Sequence, residues 1–160
     1  MSKQKENPAS RIQDLQFFGE FGGVNPSIAD SSTFTYLAGK TMGDVFEGTR
    51  EGCYLYSRHT NPSTSYLGKA IAEMEYMKGA ILAASGMGAI TSSLLQLCNS
   101  GDEIISSRTI YGGTYAFLRN YLPKFNIKTK FVNATNLVQI ENAITHKTKV
   151  IYCETMSNPL

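Results

Sequence analysis

The chain has 160 residues, of which 42% are hydrophobic and 18% are charged, a composition typical of a soluble globular protein. The formal net charge is only +2 and the lysines are scattered, so neither a nucleic-acid surface nor a basic membrane-binding surface is expected. No apolar run approaches the roughly 18 residues that a membrane-spanning helix needs.

The cysteines and the N-terminal sequence indicate a cytoplasmic protein. Cys53, Cys98 and Cys153 are far apart and form no Cys-x-x-Cys motif, which predicts reduced thiols. The first residues are polar and no apolar signal segment follows them. The two histidines, His59 and His146, are too distant to complete a zinc site with the cysteines, so no metal site is expected.

The first 62 residues show neither a helical nor a strand period and are punctuated by glycines. We predict that residues 1–62 form an irregular N-terminal arm that packs on a neighbouring subunit. From residue 63 onward the pattern becomes regular, and we predict that residues 63–160 are the first, incomplete part of a larger domain.

The regular part alternates helices with strands. In chain order the predicted elements are a helix over Leu67–Met77 that stops at Gly79, a strand over Ala80–Ala84, a helix over Met87–Leu97, a strand over Glu103–Ser106, a helix over Tyr111–Tyr121 that stops at Pro123, a strand over Ile127–Val132, a helix over Leu137–Ile144 capped by Thr135 or Asn136, and a strand over Val150–Cys153. This order predicts an α/β fold with a mostly parallel sheet and helices on both faces. Ligands of such sheets bind beyond the carboxyl ends of the strands.

A small-residue turn, Ala84-Ser85-Gly86-Met87-Gly88, joins a predicted strand to a predicted helix. The free N–H groups at the start of a helix favour an anion, and glycine lets a phosphate approach the backbone closely. An ordinary tight turn remains an alternative. An NADP-binding Rossmann-type domain is another, although Thr91 stands where the third glycine of that motif belongs and Arg108 rather than an acidic residue follows the next strand.

Four segments in order give a stronger indication: Tyr56-Ser57-Arg58-His59-Thr60-Asn61-Pro62, Ser85-Gly86-Met87, Tyr111-Gly112-Gly113-Thr114-Tyr115, and Glu154-Thr155-Met156-Ser157-Asn158-Pro159. Together they resemble the trans-sulfuration family of pyridoxal-phosphate (PLP) enzymes. That family includes cystathionine γ-synthase, the cystathionine lyases, methionine γ-lyase and O-acetylhomoserine sulfhydrylase. The resemblance spans Phe17 to Leu160, with Met156 standing where the family usually has proline.

The resemblance implies a truncated large domain of the type I, aspartate-aminotransferase-like PLP-transferase fold. It implies that Tyr56 and Arg58 bind the cofactor phosphate of the neighbouring subunit. It places Ser85, Gly86 and Met87 at the phosphate of the chain's own cofactor. The remaining site residues that it implies are Tyr111, which stacks on the pyridine ring and exchanges protons, Asn158, which lies by the phenolic oxygen, and Glu154.

The residues by themselves leave blander alternatives open. Arg58 also suits a surface loop, which is the commonest place for an arginine. Tyr111 also suits a core position, and Glu154 also suits a turn cap at the end of a strand.

The resemblance implies β- or γ-elimination, or γ-replacement, on cystathionine, methionine or an O-acyl-homoserine, in a homo-oligomer that is a dimer of dimers. PLP enzymes need a Schiff-base lysine and an aspartate that pairs with the pyridine nitrogen. By resemblance both follow Pro159, so residues 1–160 are expected to be inactive alone. A non-catalytic module that kept the fold remains an alternative.

Overall fold

A computed structural model describes Asn7, Ile12, residues 19–50 and residues 52–156. The chain forms two compact units, Met1–Leu82 and Ala83–Leu160. The boundary predicted between residues 62 and 63 concerns the domains of the whole protein and stays a prediction. Within the described residues, no helix is both long enough and apolar enough to cross a membrane.

Over residues 19–50 and 52–82, the first unit contains two helices and a short 3-10 turn over Glu20–Gly22. Helix α1 covers Gly39–Phe46 and helix α2 covers Pro62–Met74. The prediction that this region is irregular throughout was wrong at α1. The sequence gives only a weak signal for this helix because the helix is eight residues long and contains two glycines, which lower helix propensity.

Helix α2 begins and ends at well-defined caps. The Asn61 side chain accepts a hydrogen bond from the Thr64 amide (2.9 Å), and the Thr64 hydroxyl accepts one from the Asn61 amide (3.0 Å), which forms a capping box. The helix ends before Gly79, the predicted stop, because Tyr76 adopts a left-handed conformation (φ 55°). The Met77 amide then bonds the Ala72 carbonyl (2.8 Å), which closes a Schellman motif.

The prediction of a strand over Ala80–Ala84 was wrong. This segment has no regular secondary structure, and Ile81 is 98% exposed. A strand exists only where a partner accepts its hydrogen bonds, and among the described residues no strand pairs with this one. An apolar run predicts that a segment is buried, but it does not provide the neighbouring strand with which that segment must pair.

The second unit is a three-stranded parallel sheet with helices between the strands. Its elements are α3 (Gly86–Leu97), β1 (Glu103–Ser107), α4 (Gly112–Ala116), β2 (Lys128–Val132), α5 (Leu137–Ala143) and β3 (Thr148–Tyr152). The order across the sheet is β2-β1-β3, with Glu103 opposite Lys128 and Ser107 opposite Val132. The parallel α/β fold predicted from the alternation is therefore confirmed.

The helical segment that begins with α4 does not stop at Pro123, the end that the sequence predicts. It continues as a π-helical stretch over Phe117–Tyr121 and a 3-10 turn over Leu122–Phe125, so Pro123 lies near the start of that last turn. A proline is tolerated there because its missing N–H lacks a helical acceptor in any case. The element ends at Asn126, whose φ is 59°.

The core of the second unit lies around the central strand. Neighbouring side chains of a strand point to opposite faces, and Ile104 and Ile105 are both fully buried, so both faces of β1 are covered. Ile104 packs with Leu94 of α3, with Leu118 and Leu122 of the helix after β1, and with Cys98. Burial raises the pKa of the Cys98 thiol, with a further contribution from Asp102.

An ion pair joins β1 to β2. The Lys130 ammonium donates to the Glu103 carboxylate (2.7 Å), and the Thr145 hydroxyl donates to the same oxygen (2.7 Å). These two hydrogen bonds hold the pKa of Glu103 below its usual range. The pair lies at the amino end of β1 and is therefore remote from the edge where parallel sheets bind ligands.

Candidate functional site

The turn at Ser85 leaves two amides of α3 available for a ligand. The Ser85 hydroxyl accepts from the Gly88 amide (2.9 Å), and the Ser85 carbonyl accepts from the Ala89 amide (3.0 Å). The amides of Gly86 and Met87 have no acceptor among the described residues. A Cβ at Gly86 would meet no atom within 4 Å, so the space above it is open. A helix start with free N–H groups and an open approach has the geometry of an anion site.

Tyr111 directly precedes α4 and is 47% exposed. Its amide donates to the Glu154 carboxylate (2.9 Å). Its ring lies against Gly113, where an added Cβ would come within 2.5 Å of the ring atom Cε1. Gly113, two residues after Tyr111, therefore leaves the space that this ring occupies. The exposed aromatic face is free to receive a flat partner.

Glu154 joins the loop after β1 to the loop after β3. Besides the Tyr111 amide, its carboxylate accepts a hydrogen bond from the Tyr152 hydroxyl (2.9 Å). Because β1 and β3 are neighbours in the sheet, the residues beyond their carboxyl ends meet at one edge. Glu154 thus accepts from a distant loop as well as from its own strand, which a simple turn cap does not do.

Thr114 connects this edge to the start of α3. It is fully buried, and its hydroxyl lies 3.7 Å from the Met87 sulfur. Met87 therefore contacts α4, the helix that Tyr111 directly precedes, and Glu154 accepts from the Tyr111 amide, so the three residues that the sequence predicted separately lie around one segment of the second unit.

Three members of this cluster were missed by the sequence analysis, namely Gly113, Thr114 and Tyr152. Gly113 and Thr114 lie inside the Tyr-Gly-Gly-Thr segment, of which only Tyr111 is predicted as a site residue. The motif therefore contains a signal for these two residues as well. Tyr152 carried no motif signal, because it occupies an ordinary position near the end of an apolar strand.

Tyr56 and Arg58 lie in a loop of the first unit. Tyr56 forms an isolated antiparallel bridge with Thr33, and the Ser57 amide donates to the Ser32 carbonyl (2.9 Å). The Arg58 guanidinium lies 5.1 Å above the centre of the Tyr56 ring, a cation–π contact. Arg58 is exposed, and no carboxylate of the described residues lies within ion-pairing distance of it. Its positive charge is therefore available to an anion.

One residue of the predicted site has no described position. Asn158 lies outside the described residues, so its role stays a prediction. Among the described residues, no three His, Cys, Asp or Glu side chains converge as a metal site would require.

Comparison with protein families gives one match that covers nearly the whole chain. The model of the Cys/Met metabolism PLP-dependent enzymes matches residues 11–160.

Curated relatives of known activity resemble the chain along most of its length. Methionine gamma-lyase of Arabidopsis thaliana is 42% identical over 159 residues, which is 96% of this chain and 36% of that protein. L-methionine gamma-lyase of Pseudomonas putida is 37% identical over 138 residues, 86% of this chain and 34% of that protein. Homocysteine synthase of Schizosaccharomyces pombe is 38% identical over 146 residues, with shares of 86% and 34%. The chain thus spans little more than a third of these relatives.

Solved structures show the same likeness in three dimensions. An O-acetylhomoserine (thiol)-lyase from Campylobacter jejuni, which carries a pyridoxyl-lysine phosphate, superposes with a TM-score of 0.87 at 28% identity. The match covers 97% of this chain and 38% of that one. The metB protein of Corynebacterium glutamicum superposes with a TM-score of 0.83 at 25% identity, covering 97% of this chain and 39% of that one.

Proposed function

This chain belongs to the family of Cys/Met metabolism PLP-dependent enzymes, and from that membership we propose an activity for the protein that contains it. The protein cleaves or exchanges a C–S or C–O bond at the β- or γ-carbon of a sulfur amino acid or an activated homoserine. The family match over residues 11–160 is the observation that carries this proposal. The same membership removes the NADP-binding alternative.

The residues present fit PLP at both ends of that molecule. Its phosphate needs several donors and a positive charge. The amides of Gly86 and Met87, which have no acceptor among the described residues, and the guanidinium of Arg58, which has no carboxylate partner among them, have that chemistry. The Tyr56 hydroxyl is a further donor. Its pyridine ring needs a flat apolar partner, and the exposed face of Tyr111 is one. When bound, PLP supplies an electron sink for the electron pair left at the substrate α-carbon.

We assign Tyr111 the role of the catalytic residue within this chain. Its ring holds the pyridine by stacking, and its hydroxyl takes up or donates a proton beside the leaving group. In the same proposal, Asn158 would lie by the phenolic oxygen of PLP. The chain spans about a third of the length of its curated relatives, so we expect the lysine that binds the cofactor covalently and the aspartate that pairs with the pyridine nitrogen in the remainder, and we expect residues 1–160 alone to be inactive. The place of action is the cytoplasm.

The test uses the protein expressed from the full reading frame that encodes this chain. Visible absorbance and circular dichroism measure bound PLP, and α-keto acid release and thiol formation are followed with methionine, cystathionine, and O-acetylhomoserine plus sulfide. Arg58→Ala is expected to raise the dissociation constant of PLP by about tenfold to 100-fold, because charge-assisted hydrogen bonds to the phosphate are lost.

Arg119→Ala is the matched control for this change. Arg119 lies 5.7 Å above the ring of Tyr115, an arrangement like that of Arg58 on Tyr56, but it is not part of the proposed site. It is expected to leave PLP affinity unchanged. If the wild-type protein binds no PLP, the proposed function is refuted, and if it binds PLP but turns over none of the substrates, a non-catalytic module is the correct description.

A further inference from the structure

We infer that Tyr152 is a positioning residue for Tyr111, acting through the carboxylate of Glu154. The inference rests on the proposed function, since it concerns how the stacking residue is held. The hydrogen bonds that carry it all lie within the second unit.

Glu154 uses its two carboxylate oxygens for two different partners. One oxygen, Oε2, accepts from the Tyr111 amide at 2.9 Å, and the other, Oε1, accepts from the Tyr152 hydroxyl at 2.9 Å. A carboxylate at the end of a strand rotates about its side-chain torsions unless both oxygens are held. The Tyr152 hydroxyl therefore fixes the orientation in which Glu154 can receive the Tyr111 amide.

The Tyr111 carbonyl accepts from the Tyr115 amide of α4 (2.9 Å), so the hydrogen bond to Glu154 is what holds the amide side of this residue. Its φ and ψ of −53° and 134° place it outside the helix, and its side chain makes no capping bond. Helix α4 starts at Gly112. The hydrogen bond from the Tyr111 amide to Glu154 therefore lies directly before the Gly112-Gly113 pair, and glycine restricts the backbone least. Loss of this bond would let the ring of Tyr111 shift relative to any ligand.

Tyr152 is suited to remain a donor. Its ring packs against the hydrophobic core of the second unit, which immobilises the phenol. Burial raises the pKa of Tyr152, and the hydrogen bond to Glu154 raises it further, so the hydroxyl keeps its proton at neutral pH. A phenol that stays protonated donates to a carboxylate without repulsion.

Thr114 extends this arrangement to the phosphate end of the site. Its buried hydroxyl donates to the Met87 sulfur (3.7 Å). Thr114 belongs to α4, which Tyr111 directly precedes, so this contact connects the start of α3, where the phosphate would bind, to the segment that carries the ring on which PLP would stack. The connection fixes the distance between the start of α3 and the Tyr111 ring, and a rigid ligand such as PLP must contact both at once.

The test compares Tyr152→Phe with Tyr121→Phe in the full-length protein. Both changes remove one phenolic oxygen and keep the ring, and Tyr121 is 56% exposed and outside this network. In the protein without cofactor, deuterium exchange of the peptide that contains the Tyr111 amide is expected to accelerate at least about fivefold in Tyr152→Phe only. In the protein with cofactor, kcat is expected to fall roughly tenfold with little change in KM, because Tyr111 acts in the chemical step.

Melting temperatures of the two variants show whether each is folded. Equal exchange rates and equal kcat values in Tyr152→Phe and the wild type would overturn the inference even though the proposed function stands. A wild-type protein that fails to bind PLP would refute the proposed function instead. The exchange measurement would still decide whether Tyr152 holds the Tyr111 segment. A general loss of protection across the unit would also overturn the inference, since it would show a structural rather than a positioning role.

Discussion

Gly113 is needed for the space it leaves rather than for its backbone. It lies within α4, and its φ is not among the positive values found at Gly22, Gly48, Gly52 and Gly101. A Cβ at this position would come within 2.5 Å of the Tyr111 ring. The backbone therefore accepts alanine, whereas the ring does not.

Gly113→Ala is expected to separate stability from activity. Alanine is favoured over glycine in a helix by up to about 1 kcal/mol, so the melting temperature should stay level or rise. The displaced Tyr111 ring should lower kcat by roughly tenfold to 100-fold. Calorimetry and steady-state kinetics of the full-length protein measure the two effects.

Gly112→Ala provides the comparison for that experiment, since an added Cβ there meets no atom within 4 Å. It should leave both the ring and kcat unchanged. Equal kcat values in the two alanine variants would show that the Tyr111 ring is not displaced or does not act in the rate-limiting step.

At the scale of elements, Asn61 serves two structures at once. Its side-chain oxygen caps α2 through the Thr64 amide, and its side-chain nitrogen donates to the Ala29 carbonyl and the Ser57 hydroxyl, each at 3.4 Å. The first contact stabilises a helix end. The other two fasten the loop that carries Arg58 to the chain segment before it.

Two substitutions at Asn61 are expected to separate these roles. Asn61→Asp keeps the capping oxygen and loses the donor, so it should preserve stability and weaken PLP binding. Asn61→Ala loses both groups and should also lower the free energy of unfolding by about 1 kcal/mol. Thermal unfolding and PLP titration measure the two quantities.

Asn136→Ala tests whether the effect on PLP is specific. Asn136 caps α5 through the Gln139 amide (3.1 Å) and belongs to the second unit, whereas the loop that carries Arg58 belongs to the first. It should cost similar stability and leave PLP affinity unchanged. PLP affinity that is insensitive to all three substitutions would argue against a role of Asn61 in holding this loop.

At the scale of the whole molecule, the first unit exposes several large apolar side chains. Phe21, Ile28 and Leu37 are each at least 90% exposed. Exposed apolar surface of this kind marks a protein–protein contact. This surface supports the proposal that the arm packs on a second subunit, in a dimer of dimers, with Arg58 of one subunit completing the site that contains Tyr111 of another.

Mixing two inactive variants tests this arrangement. In a dimer formed from an Arg58→Ala subunit and a Tyr111→Phe subunit, one of the two sites has both residues intact. Random mixing should therefore restore about a quarter of the wild-type activity, since half of the dimers are mixed and half of their sites are intact. Co-expression with two different affinity tags isolates the mixed dimers. Activity no higher than that of the separate variants would show that each Arg58 serves its own subunit.

Features that depend on local sequence were largely predictable. The cap at Asn136, three of the four predicted strands and their parallel alternation follow from apolar periods and polar cap residues that act over a few neighbours. Predictions that needed a distant partner were less reliable. The run Ala80–Ala84 has a strand's composition but no paired strand among the described residues.

The sequence by itself determined the family, the cofactor class and the residues Ser85, Gly86, Met87 and Tyr111 as candidates, because motif residues and their spacing are written along the chain. Only the tertiary structure decided that Glu154 accepts from both Tyr111 and Tyr152, that Thr114 contacts Met87, and that Gly113 makes room for the Tyr111 ring. The physical reason is that parallel strands bring the ends of β1 and β3 together across more than forty residues of chain, a distance in sequence that no local pattern encodes.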